Sequence, residues 1–150
     1  MSANSRQVAG QHYAAKIQHW DYVLQALQGR YLEGNITKYV CRHRRKNGLQ
    51  DLEKALHYLD KLVEEFVNRR VNNLIHCNVE FPMAEFIAHN GLNSSEAYVV
   101  KRLAHWYRVD HLESVRHNIE MLIKDERDHQ LHMQAVKAGA EPGRGYVNQG

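Results

Sequence analysis

The chain has 150 residues, a formal net charge of +3, two prolines and two cysteines. That length suits one compact domain, which buries roughly 68–70% of its unfolded surface and needs no disulfide staples. The polar N-terminus has no apolar h-region, so no secretory signal peptide is expected, and no apolar run approaches the ~18 residues of a membrane span. Cys41 and Cys77 lack metal or redox spacing and read as free thiols, so a soluble cytoplasmic protein is expected.

Apolar residues recur at helical spacing nearly throughout. Helices are expected at 14–28, 34–46, 49–77, 82–90, 94–107 and 109–137, punctuated by Gly29, Gly48 and Gly91. The fold class that follows is all-α, a multi-helix bundle without a Rossmann or P-loop core. Residues 1–150 are read as a single helical domain: 11–65 a ligand-binding half, 80–137 a structural half and 138–150 a Gly-rich mobile tail.

The second of these helices is the most informative. At about 100° per residue, Asn35, Lys38, Arg42 and Arg45 fall on one stripe, and Ile36, Tyr39, Val40 and His43 on another. A sided row of cations beside an apolar face suits a phosphate-bearing ligand; a solvated basic face is the plainer alternative. Asn47-Gly48 signals a tight turn, which makes the next helix an antiparallel neighbour. That helix carries a packing seam of Leu49, Leu52, Leu56, Leu59, Val63 and Phe66, broken at Arg70 and Asn73. The seam is long enough to predict self-association. Away from it lie Asp51, Lys54 and Tyr58, placed to share a groove with Asn35, Lys38 and Arg42; an ordinary Asp51–Lys54 ion pair is the alternative.

At an offset of sixty residues the chain echoes itself. Val40 matches Val100, Arg42 matches Arg102, Leu52-Glu53 matches Leu112-Glu113, Leu59 matches Ile119, and Leu62-Val63 matches Leu122-Ile123. A degenerate tandem repeat and a coincidence of two amphipathic helices both explain this. The echo lacks the charges: Ser95 stands for Asn35, Tyr98 for Lys38, His105 for Arg45 and Ser114 for Lys54. Among the eleven histidines, His129-x-x-His132 lacks further ligands at metal spacing, so no metal site is expected. Trp20 and Trp106 read as core or interface.

The ordered set His12-Tyr13, Gly34-Asn35-x-x-Lys38-Tyr39-x-x-Arg42, Lys46 and Asp51-Leu52-x-Lys54-Ala55-x-x-Tyr58-Leu59 resembles a small phage family. That family includes the gene 1.7 nucleotide kinase of coliphage T-seven. The resemblance covers about residues 11–65. It implies nucleotide binding and, for the kinase member, phosphoryl transfer to deoxynucleoside monophosphates of the dTMP and dGMP type. Carried over by position, it implies His12, Tyr13, Asn35, Lys38, Tyr39, Arg42, Lys46, Asp51, Lys54 and Tyr58; with Arg45 added from the basic stripe, the expected catalytic set is His12, Lys38, Arg42, Asp51 and Lys54, with Tyr13, Asn35, Tyr39, Arg45, Lys46 and Tyr58 binding nucleotide. Lys38, Arg42 and Lys54 would hold phosphate oxygens, Arg45 or Lys46 would add a clamp, and His12 would handle a proton. Tyr13, Tyr39 and Tyr58 would line a base pocket. A nucleoside triphosphate would be the donor, with Mg2+ allowed but not demanded by the sequence. Without a G-x-x-x-x-G-K-[ST] loop, such a kinase would work by positioning and charge stabilisation.

Two other classes compete. A non-catalytic nucleotide-binding protein, a sponge or regulator, would use the same groove. A helical nucleotide pyrophosphohydrolase needs carboxylates converging on Mg2+, and Glu64-Glu65 and Asp125-Glu126 do not make that array. A nucleic-acid partner is not favoured, because no aromatic platform accompanies the basic helix.

Overall fold

A computed structural model describes residues 16–71 and 80–139. Its six α-helices are α1 (His19–Gln25), α2 (Tyr31–Arg42), α3 (Leu49–Val67), α4 (Met83–His89), α5 (Ser94–Ala104) and α6 (Val109–Lys137), with a 3-10 turn at His43–Arg45. The described residues include no strand, and none of their helices is long and apolar enough to cross a membrane. The all-α bundle expected from periodicity is therefore what forms.

Two apolar clusters hold it together. In the larger, Ile36 and Val40 of α2 meet Leu52, Ala55, Leu59 and Leu62 of α3, together with Val99, Leu103, Leu112, Val115 and Ile119 of α5 and α6. In the smaller, α1 packs on α4 beneath α5: Tyr22 stacks on Phe86 at 5.1 Å and donates its hydroxyl to Val100 O at 2.7 Å. The leucine seam of α3 is taken up by the larger cluster, with Leu52 and Leu59 fully buried and Leu49, Leu56, Val63 and Phe66 partly so. It needs no second chain to cover it, which removes the reason first given for self-association. α6 outruns the bundle. Its burial stops after Ile123, and the remaining turns stand almost wholly in solvent.

Over part of its length the sixty-residue echo extends to burial. Residues 51–60 and 111–120 have the same burial, position for position, across all ten pairs.

Helix ends correct several expectations. α1 stops at Gln25, and the chain reverses through Gln28 (φ 53°) and Gly29 (φ 74°), before the expected end at 28. α2 begins at Tyr31, three residues before the expected 34, and its α-geometry ends at Arg42. α3 stops at Val67, where Arg69 takes φ 56° and breaks the helix just before Arg70. α5 ends at Ala104 rather than 107, while α6 spans the expected 109–137. The expected extension of α3 over 72–77, the tail beyond Gly139, Cys77, His12 and Tyr13 lie outside the described residues.

Candidate functional site: a cation-ringed tyrosine between two helices

The α2–α3 turn sets the geometry. Gly48 N–H donates to His43 O at 2.8 Å and the glycine takes φ 50°. The backbone angle favours glycine; a Cβ there would lie 2.9 Å from Glu126 Oε1, the movable end of that side chain. The resulting antiparallel pair sets Tyr39 of α2 against Tyr58 of α3, rings 5.9 Å apart and 25° from parallel. Tyr31 meets Tyr58 edge-on at 6.1 Å. A hydrogen bond between Tyr31 and Tyr58 is the main cause that raises the Tyr58 phenol above its ordinary pKa, so Tyr58 keeps its proton.

Three cations surround the Tyr39 ring. Arg42 Cζ lies 4.8 Å from its centroid, Lys38 Nζ 5.3 Å and Lys54 Nζ 5.6 Å. Each such contact is worth ~0.5–1 kcal/mol at an exposed site. Among the described residues the carboxylate tied to the group is Asp51, wholly buried, whose Oδ1 and Oδ2 each accept from Arg42 at 3.2 Å. Asp51 also accepts from Asn47 N–H at 3.4 Å, which pins the turn. The alternative Asp51–Lys54 ion pair does not form, and neither Lys38 nor Lys54 has a carboxylate partner among the described residues. Among the described residues three positive charges thus face one negative charge, and the excess sits on the two lysines. Asn35 lies one turn from Lys38 and donates Nδ2–H to Tyr31 O at 2.9 Å.

The basic run divides where α2 tightens into the 3-10 turn. Arg45 leaves the stripe of Asn35, Lys38 and Arg42 because a 3-10 turn advances about 120° per residue rather than 100°. It donates to Asn90 O at 2.8 Å instead. Arg44 grips Glu96 at 2.7 and 3.1 Å and Gly91 O at 2.6 Å, and His43 Nε2 donates to Glu96 Oε2 at 2.8 Å. Burial pushes the Glu96 carboxyl up, but the hydrogen bonds from His43 and Arg44 outweigh it and hold it below its ordinary value. Arg45 therefore belongs to a clamp between the 3-10 turn and the α4–α5 connection, not to the Tyr39 group. Lys46 is exposed and lines a separate cavity of about 620 Å3 with His43, Asp125, Glu126 and His129. Of the expected site residues, the structure brings together Asn35, Lys38, Tyr39, Arg42, Asp51, Lys54 and Tyr58, and separates Arg45 and Lys46.

Beside the cations runs a groove of about 330 Å3 between α1 and α2, lined by Trp20, Val23, Leu24, Tyr31, Asn35 and Lys38 among others. Gly34 lets α1 come close: a Cβ there would lie 3.3 Å from Val23 Cγ1. The groove is mostly apolar, and Lys38 belongs both to it and to the Tyr39 group. His19 stands at its edge. Thr37 Oγ1 donates to Glu33 O at 2.9 Å, so it accepts from His19 Nε2 at 2.8 Å. Burial, and then the Lys38 charge, lower the His19 pKa to about 4. His19 is thus neutral at neutral pH, with its hydrogen on Nε2. Trp106 is buried as expected, but Trp20 is 45% exposed on the groove. His19, Trp20 and Tyr31 are the site residues that periodicity missed. The signal available was the short spacing of Trp20 and Leu24 on a helix facing Gly34. Among the described residues no group of three His, Cys, Asp or Glu side chains is placed to hold a metal ion.

Residues 8–60 match a family model described as a protein of unknown function (DUF3310). No curated protein and no solved structure matches the chain. The matched stretch contains α1, α2, the turn at Gly48 and most of α3, and so every residue of the Tyr39 group.

Proposed function

We propose that the α2–α3 face binds the phosphates of a nucleotide and that the α1–α2 groove takes its base. The observation that carries this reading is the ring of Lys38, Arg42 and Lys54 around Tyr39, with one carboxylate among them. Charge-assisted hydrogen bonds to phosphate are about twice as strong as neutral ones, and two lysines here lack any counter-ion among the described residues. The apolar groove with Trp20, Tyr31 and the Asn35 amide offers surfaces for stacking and for reading a base edge. Lys38 joins the two parts, which sets phosphate and base side by side.

Within this reading the activity is phosphoryl transfer from a nucleoside triphosphate to a deoxynucleoside monophosphate, supported by the resemblance over residues 11–65 to the phage kinase family. The acceptor's phosphate oxygen attacks the γ-phosphorus, the bond from that phosphorus to its bridging oxygen breaks, and the electron pair leaves with the nucleoside diphosphate. The attacking oxygen is already anionic, so no protein base is required, and cations that hold both phosphates supply the electrostatic term. His12 and Tyr13 belong to this proposal through the resemblance alone, and Mg2+ is allowed by it but not demanded.

A second reading, binding without transfer, has its own observation. Asp51 is wholly engaged by Arg42 and Asn47, so the group is built to hold an anion without a free carboxylate. Incubating the full chain with each deoxynucleoside monophosphate and a triphosphate, with and without Mg2+, separates the two. Diphosphate product supports the kinase; tight binding with no diphosphate supports the sponge or regulator; release of pyrophosphate from the triphosphate alone points to the hydrolase. Absence of binding overturns the site. Self-association in a host cytoplasm also belongs to this proposal. Its remaining support is the exposed Leu131, Met133 and Val136 of α6, and light scattering that gives a monomer mass removes it.

A further inference from the structure

The two lysines at the Tyr39 ring that lack a carboxylate partner among the described residues stand on different helices. Lys38 of α2 lines the α1–α2 groove. Lys54 of α3 lies one helical turn from Tyr58, with Cβ atoms ~5–6 Å apart. Tyr58 lines a second groove, of about 420 Å3 and mostly apolar, with Tyr31, Leu32, His57 and Lys61 among others.

Tyr31 belongs to both grooves. It is 69% exposed and meets Tyr58 edge-on at 6.1 Å. Tyr58 stacks in turn on Tyr39 at 5.9 Å, and Tyr39 carries the three cations. Each groove thus leads to the same charged centre, one through Lys38 and the other through Tyr58 and Lys54.

Charge at the far end of the second groove fixes which way an anionic ligand lies in it. Along α3, Lys54, Tyr58 and Lys61 follow one another at single-turn spacing, so the two lysines stand on opposite sides of Tyr58. Lys61 Nζ is held by Glu64 at 3.1 Å and Glu65 at 2.8 Å, and Asp60 by Arg116 at 2.6 Å. That end is neutralised by its own ion pairs. A phosphate is drawn to the other end, to Lys54.

We propose that the second groove seats the nucleoside of a second nucleotide, so that the α2–α3 face holds two nucleotides at once, one with its phosphate on Lys38 and the other on Lys54. The inference rests on the nucleotide reading of this face and extends it. Transfer between nucleotides requires donor and acceptor bound together with their reacting phosphates side by side, and two grooves that meet at one cation group meet that need. Tyr31 offers a stacking surface to both, which any base can use.

The test counts nucleotides. The full chain is dialysed to equilibrium against a deoxynucleoside monophosphate and a β,γ-methylene triphosphate together, both saturating and each with its own radiolabel. Two nucleotides per chain are expected in total. A total of one, each ligand displacing the other, overturns the second seat and leaves the first standing; no binding of either overturns both. His57→Trp fills the second groove and Leu24→Trp the first, both from exposed positions. Each should weaken a different one of the two ligands, by about tenfold or more, and leave the other within about twofold. Tyr31→Ala should weaken both, by about fivefold or more for a lost stack. Unchanged affinities in His57→Trp, or loss of the same ligand in both tryptophan variants, overturns the proposal. The count on the wild-type chain needs no variant, so a misfolded substitution leaves the test intact.

Discussion

In the α2–α3 half, Arg42 gives two nitrogens to Asp51 and lays its guanidinium on Tyr39; in the α5–α6 half, Arg102 lies by Tyr98 with His111 where a carboxylate would be. The frames agree to the level of burial over ten consecutive positions, yet the charges do not. The difference separates two roles that one arginine can have. Arg42 is needed to neutralise a buried Asp51, and its contact with a ligand comes in addition. Arg102 neutralises no carboxylate among the described residues; what holds it is its contact with Tyr98.

That contrast breaks most directly by truncation. Arg42→Ala leaves Asp51 buried and unpaired and should destabilise the fold by ~3–5 kcal/mol, whereas Arg102→Ala should cost under about 1 kcal/mol; denaturant melts of both variants decide it. Equal losses would mean the two arginines are structurally equivalent. It also follows that Arg42→Ala is a poor probe of ligand binding, because it weakens the helix pair that carries the site.

The next effect is in pH. His19 has its pKa lowered from the ordinary 6.5 to about 4, so between those values the unfolded chain binds the extra proton. Stability is full above pH 6.5 and falls as the pH drops toward 4, by up to about 3 kcal/mol. His19→Gln should flatten that part of a stability-versus-pH curve; an unchanged curve would show that His19 titrates normally.

Ligand affinity sharpens the comparison further. Lys54→Ala should weaken nucleotide binding by ~1.5–3 kcal/mol, roughly tenfold to over a hundredfold, with the helical signal unchanged, since Lys54 holds no ion pair among the described residues. Calorimetry that finds full affinity would remove Lys54 from the site. The smallest effect is at the helix starts. Gly48 before α3 has φ 50°, but its counterpart Arg108 before α6 has φ −137°. Gly48→Ala should cost ~1–2 kcal/mol, and Arg108→Ala almost nothing, in thermal melts.

Much of this was legible in the residues. Apolar period and glycine placement located every helix, and α6 to the residue, because long amphipathic runs bounded by turns leave little choice. The stripe of Asn35, Lys38 and Arg42 and its juxtaposition with Asp51, Lys54 and Tyr58 also followed from spacing and one tight turn. Arg45 did not, because the 3-10 turn after Arg42 goes with the Arg44–Glu96 and Arg45–Asn90 contacts, which join residues 52 and 45 positions apart in the chain. Nor did the pairing of Asp51 with Arg42 rather than Lys54, which burial decides. Between core and interface the spacing did not decide for Trp20, because a short helix with few apolar residues has no well-defined inner face.

The two tryptophans give the molecule an optical asymmetry. Trp106 is sealed in the core with its Nε1–H on Glu33 Oε1 at 3.2 Å, while Trp20 stands on the wall of the α1–α2 groove. Their emission should divide into a blue component deaf to soluble quenchers and a red component that iodide reaches. Any occupant of the groove would silence the quenching of the second alone, so the unlabelled chain is its own fluorescent reporter of occupancy.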